Sequence, residues 1–429
     1  MPKDTFLRQL ARKIISNHAE NILAVKVILP NKRAKVFLLE ELKNAIPNNI
    51  MAPEITSIEE FIQKIAGVRS IDNVELLFEF YEVYLSITET GQQEPFETFA
   101  NWAKTLLQDF NEIDRYLIEP DKILKYLENI KEIEHWSVDL NKRTDLIEKH
   151  LQFWKKLPHY YHSLYQHLQN KGIGYQGLIY REAVENLNHF SENSIETQYL
   201  FAGFNALNQA EEKIIQHLLA LDKAKIFWDI DRTFLNDEFH DAGLFQRRFR
   251  KDWTHYRSNP YEWIQNDFKA EKNINVISTP KNIGQAKIVG EIIEKHSQNG
   301  NLQNVAVVLG DENLLLPVLY SLPDSVDALN ITMGFSGKNN PAQLLIAKLF
   351  KLHVNALSRN ANSYVMYYKD VLDVLTHPLV EPYVGARELV NQIKRNNYSF
   401  ITRHKLEELF AGDNQLFSLL FQKWDIPLI

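Results

Sequence analysis

The chain contains no cysteine. Disulfides, thiol nucleophiles and cysteine-ligated zinc are thereby excluded, and a cytoplasmic location is the expectation. Glycine is sparse, 15 in 429 residues, and none precedes Gly67. A phosphate loop needs glycines between a strand and a helix so that successive amides can approach the phosphates. The opening strand and its following turn therefore cannot form one. Runs of about 18 apolar residues, the length of a membrane span, are missing too. The start, MPKDTFLRQLARKII, has the periodicity of an amphipathic helix and lacks the apolar centre and cleavage site of a secretory signal. Nor is there a surplus of positive charge: 48 Lys and Arg stand against 55 Asp and Glu, a net charge of −7.

What charge there is lies unevenly. Residues 1–70 hold eleven basic residues against seven acidic ones, a balance of +4, whereas residues 71–140 hold five against sixteen, a balance of −11. A nucleic acid would avoid the second segment and prefer the first. Two differently solvated surfaces would give the same pattern.

The length suits two or three domains, and 45% hydrophobic with 24% charged residues suits an ordinary globular chain. AVKVIL (24–29) reads as a buried strand, and PNKRA leads from it into the helix VFLLEELKNAI. EITSIEEFIQKIAG begins as a short strand, after which Ser57 and Glu60 have capping-box spacing. Residues 71–190 carry apolar residues at i, i+3/i+4 and i+7 almost throughout, as in FETFANWAKTLLQDFNEI. Strand patterns return with QYLFAG, KAKIFWDI, NINVIST and NVAVVLG, alternating mostly with helices, which implies parallel sheets covered on both faces. From about 341 onward the pattern is helical again. The expected organisation is a first α/β domain from 1–70 plus 191–270, with an acidic helical insertion at 71–190. A second α/β unit begins at 271–340, and a helical insertion follows at 341–429. The apolar ending KWDIPLI suggests a chain cut short.

Several motifs invite a catalytic reading. Gly172, Gly174 and Gly177 form a formal G-x-G-x-x-G, but a helix precedes them where a dinucleotide site needs a strand. GFSGKNN (334–340) has its glycines too close for a phosphate loop and Asn339 in the hydroxyl position. KIFWDIDRTF (225–234) matches the haloacid-dehalogenase phosphatases more fully. Asp229 would be the nucleophile and Asp231 the general acid/base, with Ser278 or Thr279 on the phosphate and VVLGDE (307–312) supplying magnesium ligands. Leu315 and Leu316 stand where a further metal ligand is needed, and a strand-end turn with a helix cap explains the two aspartates as well. His159, His162 and His167 lie on one helical stretch without an HExxH pattern or an acid nearby in sequence, and no metal site is read there. Pro120-Asp121 with ENIK (128–131) has the wrong spacing and setting for a nuclease constellation.

Two basic clusters remain. Asn31, Lys32, Arg33 and Lys35 sit between a strand end and a helix start, where backbone amides and the helix dipole favour phosphate. QRRFRKDWTHYR (246–257) interleaves Arg247, Arg248, Arg250, Lys251 and Arg257 with Phe249, Trp253 and Tyr256, a mixture that suits the charge and stackable bases of a single strand. A solvated amphipathic helix is the plain alternative.

The stretches VILPNKRAKVFLLEEL, PEITSIEEF, GYQGLIYREAVENL, LFAGFNALNQAEEKI, VAVVLGDENLLLPVLYSLP and NITMGFSGKNNP, in this order, resemble the helicase-like half of AddB/RexB-type nuclease subunits. The resemblance is closer still to Bacteroidetes-type PD-(D/E)XK nuclease family proteins, whose front half is an inactivated superfamily 1 helicase. It spans essentially the whole chain. It implies RecA-like, P-loop NTPase-type parallel-sheet domains with large helical insertions. PNKRA would touch single-stranded DNA, and Thr56 and Ser57 of ITSIEEF would lie in the next backbone-contacting segment. Gly203, Phe204 and Asn205 would occupy the Walker B position, with Gly203 and Phe204 replacing the magnesium-binding acid and the catalytic Glu. Trp228-Asp229 would occupy a sensor motif. ATP and magnesium sites would then be degenerate and the chain would need no cofactor. The implied partners are DNA, as single strand or duplex ends, and an AddA/RecB-type helicase–nuclease subunit, with no membrane. The nuclease domain of the family, a PD-(D/E)XK exonuclease, would lie beyond this chain. The expectation is a non-catalytic DNA-binding and scaffolding module for recombinational repair of double-strand breaks. Its rivals are a magnesium-dependent phosphatase and a protein-interaction scaffold that never touches DNA.

Overall fold

The computed structural model of the chain describes residues 4–46, 51–134, 145–194, 197–300, 302–334, 337, 340–359, 364–410 and 415–424. Two compact units, 1–273 and 274–429, divide the chain.

In the first unit, helix α1 (Phe6–His18) leads to strand β1 (Val25–Leu29), helix α2 (Lys32–Ala45), strand β2 (Glu54–Ser57) and helix α3 (Ile58–Ala66). A two-residue strand β3 (Arg69–Ser70) opens a helical excursion of α4 (Asn73–Ile87), α5 (Phe96–Arg115), α6 (Pro120–Glu134) and α7 (Asp145–Lys171). The excursion closes with strand β4 (Ile173–Gly174), which pairs in parallel with β3. Helices α8 (Gln176–Glu185) and α9 (Leu187–Asn193) return the chain to β5 (Gln198–Ala202), α10 (Gln209–Ala220) and β6 (Ala224–Phe227). Strand β7 (Ile230–Asp231), α11 (Arg232–Asn236), α12 (Leu244–Asp252) and β8 (Ile264–Gln265) complete the unit.

Strands β2, β1, β5 and β6 lie side by side in that order, all parallel. Burial on both faces explains their apolar runs. Along β1, Val25, Val27 and Leu29 pack with Leu10 and Ile14 of α1 and Leu38 and Leu42 of α2. Ile28 points the other way, into a core with Phe61 and Ile62 of α3 and Ile214 and Leu218 of α10. In β5, Leu200 and Ala202 join the first face, while Tyr199 and Phe201 join the second. Each large side chain so buried contributes about 1.5–3 kcal/mol. The result is a three-layer α/β/α arrangement.

The excursion has its own core, with Phe80, Phe99, Phe110, Tyr160 and Leu164 fully or nearly fully buried. Helix α8 serves both: Leu178 packs into that core and Ile179 and Ala183 into the core of the sheet. The three glycines of the G-x-G-x-x-G sequence are explained here by packing. Gly172 ends α7 at φ +65°, Gly174 lies in β4, and a Cβ on Gly177 would collide with the Asn111 carbonyl.

The second unit corrects the sequence reading. NINVIST and NVAVVLG, expected as strands of a second parallel sheet, form no strand, and Val276 and Val308 are about nine-tenths exposed, at 92% and 89%. Alternating β-branched residues supply strand propensity, but a parallel strand also needs a paired neighbour. Among the described residues of this unit only β9 (Val365–Tyr367) and β10 (Phe400–Thr402) pair, and they run antiparallel. Its helices include α13 (Asn282–Asn299), α14 (Leu315–Leu319), α15 (Pro341–Arg359) and α16 (Tyr368–Leu375). Leu352, Met366, Val371, Leu375, Ile393 and Phe421 form its core. Of GFSGKNN, residues 335, 336, 338 and 339 lie outside the described residues.

Candidate nucleic-acid interface at the strand ends

Because the four strands run parallel, their C-terminal ends share one edge of the sheet. The chain leaves β1 toward β2 on one side and later places β5 on the other, so connections diverge between β1 and β5. In open α/β sheets this crevice is where ligands bind.

At the end of β1, Pro30 removes a ladder donor and the Asn31 side chain caps α2, accepting the Ala34 amide at 2.9 Å. Lys32, Arg33 and Lys35 follow, all exposed. The first turn of α2 contains no acid, whereas α3 and α10 each place two there, Glu59 with Glu60 and Glu211 with Glu212. Cations at a helix N-terminus oppose the dipole by roughly 0.3–1 kcal/mol each, a local cost that an anion would remove. Lys32 is the exception to their freedom, since its Nζ lies 2.9 Å from Glu60 Oε1.

The end of β2 is built as a cap. Ser57 is buried and closes a full capping box with Glu60, and the half-buried Thr56 hydroxyl donates to Glu60 Oε2 at 3.1 Å. Of the residues read from the sequence at these two ends, Arg33, Lys35 and, in part, Lys32 face outward with charge to offer. Asn31 and Ser57 are engaged in capping.

At the end of β5 the turn is closed. Gly203 takes φ +76°, its amide donates to the Phe227 carbonyl at 3.0 Å, and Phe204 is buried beside Phe201. The buried Gln246 of α12 donates to Asn205 Oδ1 at 2.8 Å and to the Phe204 carbonyl at 3.4 Å. The turn after β5 is thus filled by an aromatic ring and an amide bridge. Sequence reasoning missed Gln246, because nothing in the spacing marks a glutamine 41 residues away as the turn's partner.

At the end of β6, Trp228 is buried in an aromatic cluster, stacked on Phe249 at 5.3 Å and donating to the Tyr256 hydroxyl at 2.6 Å. Asp229 reaches solvent, although the atoms crowded around it push its carboxyl upward. Asp231 caps α11 through the Thr233 amide at 2.8 Å and accepts the amides of Asp267 and Phe268 at 2.6 and 2.9 Å. Partial burial pushes its carboxyl up, but these amides outweigh that and hold it at about 2. An aspartate ionised throughout the neutral range has no proton to give as a general acid. Asp311, the would-be metal ligand, caps a short turn through the Asn313 amide.

The second basic cluster is corrected by its packing. Phe249 and Trp253 are buried, at 0% and 2% exposure, and cannot stack on bases. Arg247 is a clamp, with its guanidinium donating to the carbonyls of Phe234, Glu238 and His240. Arg248 pairs with Glu212 and lies over the Phe249 ring. Of the five cations named there, Arg250, Lys251 and Arg257 stand exposed without such contacts. Helix periodicity separates the two sets of side chains, which alternate in sequence but face opposite ways.

The histidines do have acids near them in space: His162 lies 2.8 Å from Asp121, and His167 lies 2.6 Å from Glu79. Glu79, Glu82 and His167 could offer a cation three ligand atoms, but Lys171 Nζ already stands 2.6 Å from Glu79. Among the described residues, no helix is long and apolar enough to cross a membrane. No protein-family model matches the chain, and neither does any curated protein.

Proposed function

We propose that the chain is a non-catalytic, helicase-like module that binds DNA at the strand-end edge of its parallel sheet. The carrying observation is the contrast across the crevice between β1 and β5. On one side, Arg33 and Lys35 stand exposed at a helix start that lacks acids; on the other, the β5 end is packed shut by Phe204 and Gln246. Charge for a polyanion is offered where chemistry for a bound nucleotide is not. The order of the sequence motifs supports a RecA-like, superfamily 1 helicase-like ancestry. It also supports a place in a bacterial DNA end-processing complex for recombinational repair, beside an AddA/RecB-type subunit. The strongly acidic helical excursion is a surface DNA would avoid.

Fluorescence anisotropy with a labelled single-stranded oligonucleotide tests this reading. Binding that weakens steeply between 50 and 200 mM salt, roughly as phosphate contacts dictate, is the expected result. Titration with a fluorescent ATP analogue and magnesium is expected to give no saturable signal below millimolar. Salt-insensitive or absent DNA binding overturns the DNA reading; micromolar binding that ATP competes away overturns the non-catalytic one.

A further inference from the structure

We propose that Glu60 is a built-in competitor for the anion that Lys32 is placed to bind, so that the strand-end surface is held partly shut by its own ion pair. The proposal rests on the DNA reading above and adds a control element to the same surface.

The Glu60 carboxylate is fixed. One oxygen accepts the Ser57 amide at 3.2 Å and the Thr56 hydroxyl at 3.1 Å, and the Ser57 hydroxyl in turn accepts the Glu60 amide at 3.3 Å. The other oxygen faces Lys32 Nζ at 2.9 Å. The register of the sheet creates this meeting: Leu29 at the end of β1 lies opposite Ser57 at the end of β2, which sets the starts of α2 and α3 side by side. Lys32 finds no acid in its own first turn and takes one from the neighbouring helix.

Most exposed ion pairs are weak because two mobile side chains must both be ordered. Here the capping box has already ordered one of them. A phosphate that takes Lys32 must displace a fixed carboxylate and then remain near its charge. That charge persists across the working range, since the Lys32 contact and the Ser57 amide hold the Glu60 carboxyl at about 2. Arg33 and Lys35 have no comparable partner among the described residues, so the surface carries two open cations and one closed.

The test is a cycle of four proteins, wild type, Glu60→Gln, Lys32→Ala and the double variant, titrated with a labelled single-stranded oligonucleotide across a salt series. Glutamine keeps an oxygen for the Ser57 amide, and thermal melting checks that the fold is retained. Glu60→Gln is expected to tighten binding about threefold, the scale of one exposed ion pair. It is also expected to steepen the log–log salt slope by about 0.7, one added phosphate contact. In the Lys32→Ala background the gain should vanish. An equal gain in that background overturns the proposal, because a general charge effect would then suffice. Unchanged or weaker binding by Glu60→Gln, with wild-type binding intact, overturns the proposal and leaves the DNA reading standing. Binding by neither protein overturns both.

Discussion

The side-chain amide nitrogen of Gln246 lies 2.8 Å from the side-chain oxygen of Asn205, tying α12 to the turn that follows β5. Gln246 is almost wholly buried, and its own oxygen has no hydrogen-bond partner among the described residues. The residue is thus held as a donor, to one side chain and to the Phe204 carbonyl. Gln246→Ala should cost about 1–3 kcal/mol, combining lost hydrogen bonds with a small cavity. Gly203→Ala should cost about 1–2 kcal/mol, because φ +76° disfavours a side chain and the new Cβ would press on the Phe6 ring at 3.3 Å. Urea unfolding measures both. A neutral Gln246→Ala would show that the turn is closed by Phe204 alone.

Asp231 gives a pH signature. Its carboxyl is held at about 2, below the ordinary 3.8, by backbone amides that favour the ionised form. The folded state therefore binds this proton less readily than the unfolded state. The stabilisation is full above about pH 4 and fades as the pH falls through 2, with a size of roughly 1–2 kcal/mol after solvent screening. Asp231→Asn should be less stable than wild type at pH 6, and the difference should shrink toward pH 2. Unfolding midpoints at several pH values check this. Neither Asp229→Asn nor Asp231→Asn should alter phosphate-ester turnover, which is expected to be absent in the parent; magnesium-dependent turnover lost with Asp229→Asn would restore the phosphatase reading.

How much of this was legible depends on range. The four strands of the sheet are β-branched and aromatic runs bounded by turn residues, and the Ser57–Glu60 capping box is a four-residue pattern, so both could be read locally. The closed turn at Gly203 and Phe204 was legible as an absence of acids. What closes it was not, because Gln246 arrives from a distant helix. Arg247 looked like a DNA ligand since composition records its charge but not the three carbonyls around it. The runs near 276 and 308 had strand composition, yet pairing is a property of neighbours. The Lys32–Glu60 pair joins residues that only the β1–β2 register brings together.

The buried hub of the helical excursion should dominate its stability. Asp114 of α5 is fully buried, accepts the hydroxyls of Tyr161 and Tyr175 at 2.5 Å each, and meets Arg181 Nε at 2.6 Å. Arg181 also donates to the carbonyls of Ile113 and Ile118. Asp114→Ala leaves a half-buried guanidinium without its counter-charge and should cost about 3–5 kcal/mol. Tyr161→Phe removes one hydroxyl from a carboxylate that keeps other donors and should cost about 1–2 kcal/mol. Removing Asp114 and Arg181 together should cost less than the sum of the single changes, as expected for groups in one network. Chemical denaturation of the four proteins measures the coupling; strict additivity would mean that the pair does not act as a unit.

The path of DNA is the last expectation. Arg33 and Lys35 are exposed at the start of α2, while Lys122 and Lys125 sit on α6 beside Glu119 and Glu128. Each phosphate contact on a single strand contributes about 0.7 to the log–log salt slope. Arg33→Ala with Lys35→Ala should weaken binding to oligonucleotides of different sequence by similar factors and flatten the slope by roughly 1.4, the value for two lost contacts. Lys122→Ala with Lys125→Ala should leave both quantities nearly unchanged, because those cations are already paired within an acidic segment. Arg250→Ala with Lys251→Ala separates a path confined to β1 and β2 from one that crosses the whole edge to α12. A loss there equal to that at α2 means the strand runs across the full sheet; no loss confines it to the basic start of α2. If the α6 pair matters and the α2 pair does not, DNA binds elsewhere on the molecule and the assignment of this edge is wrong.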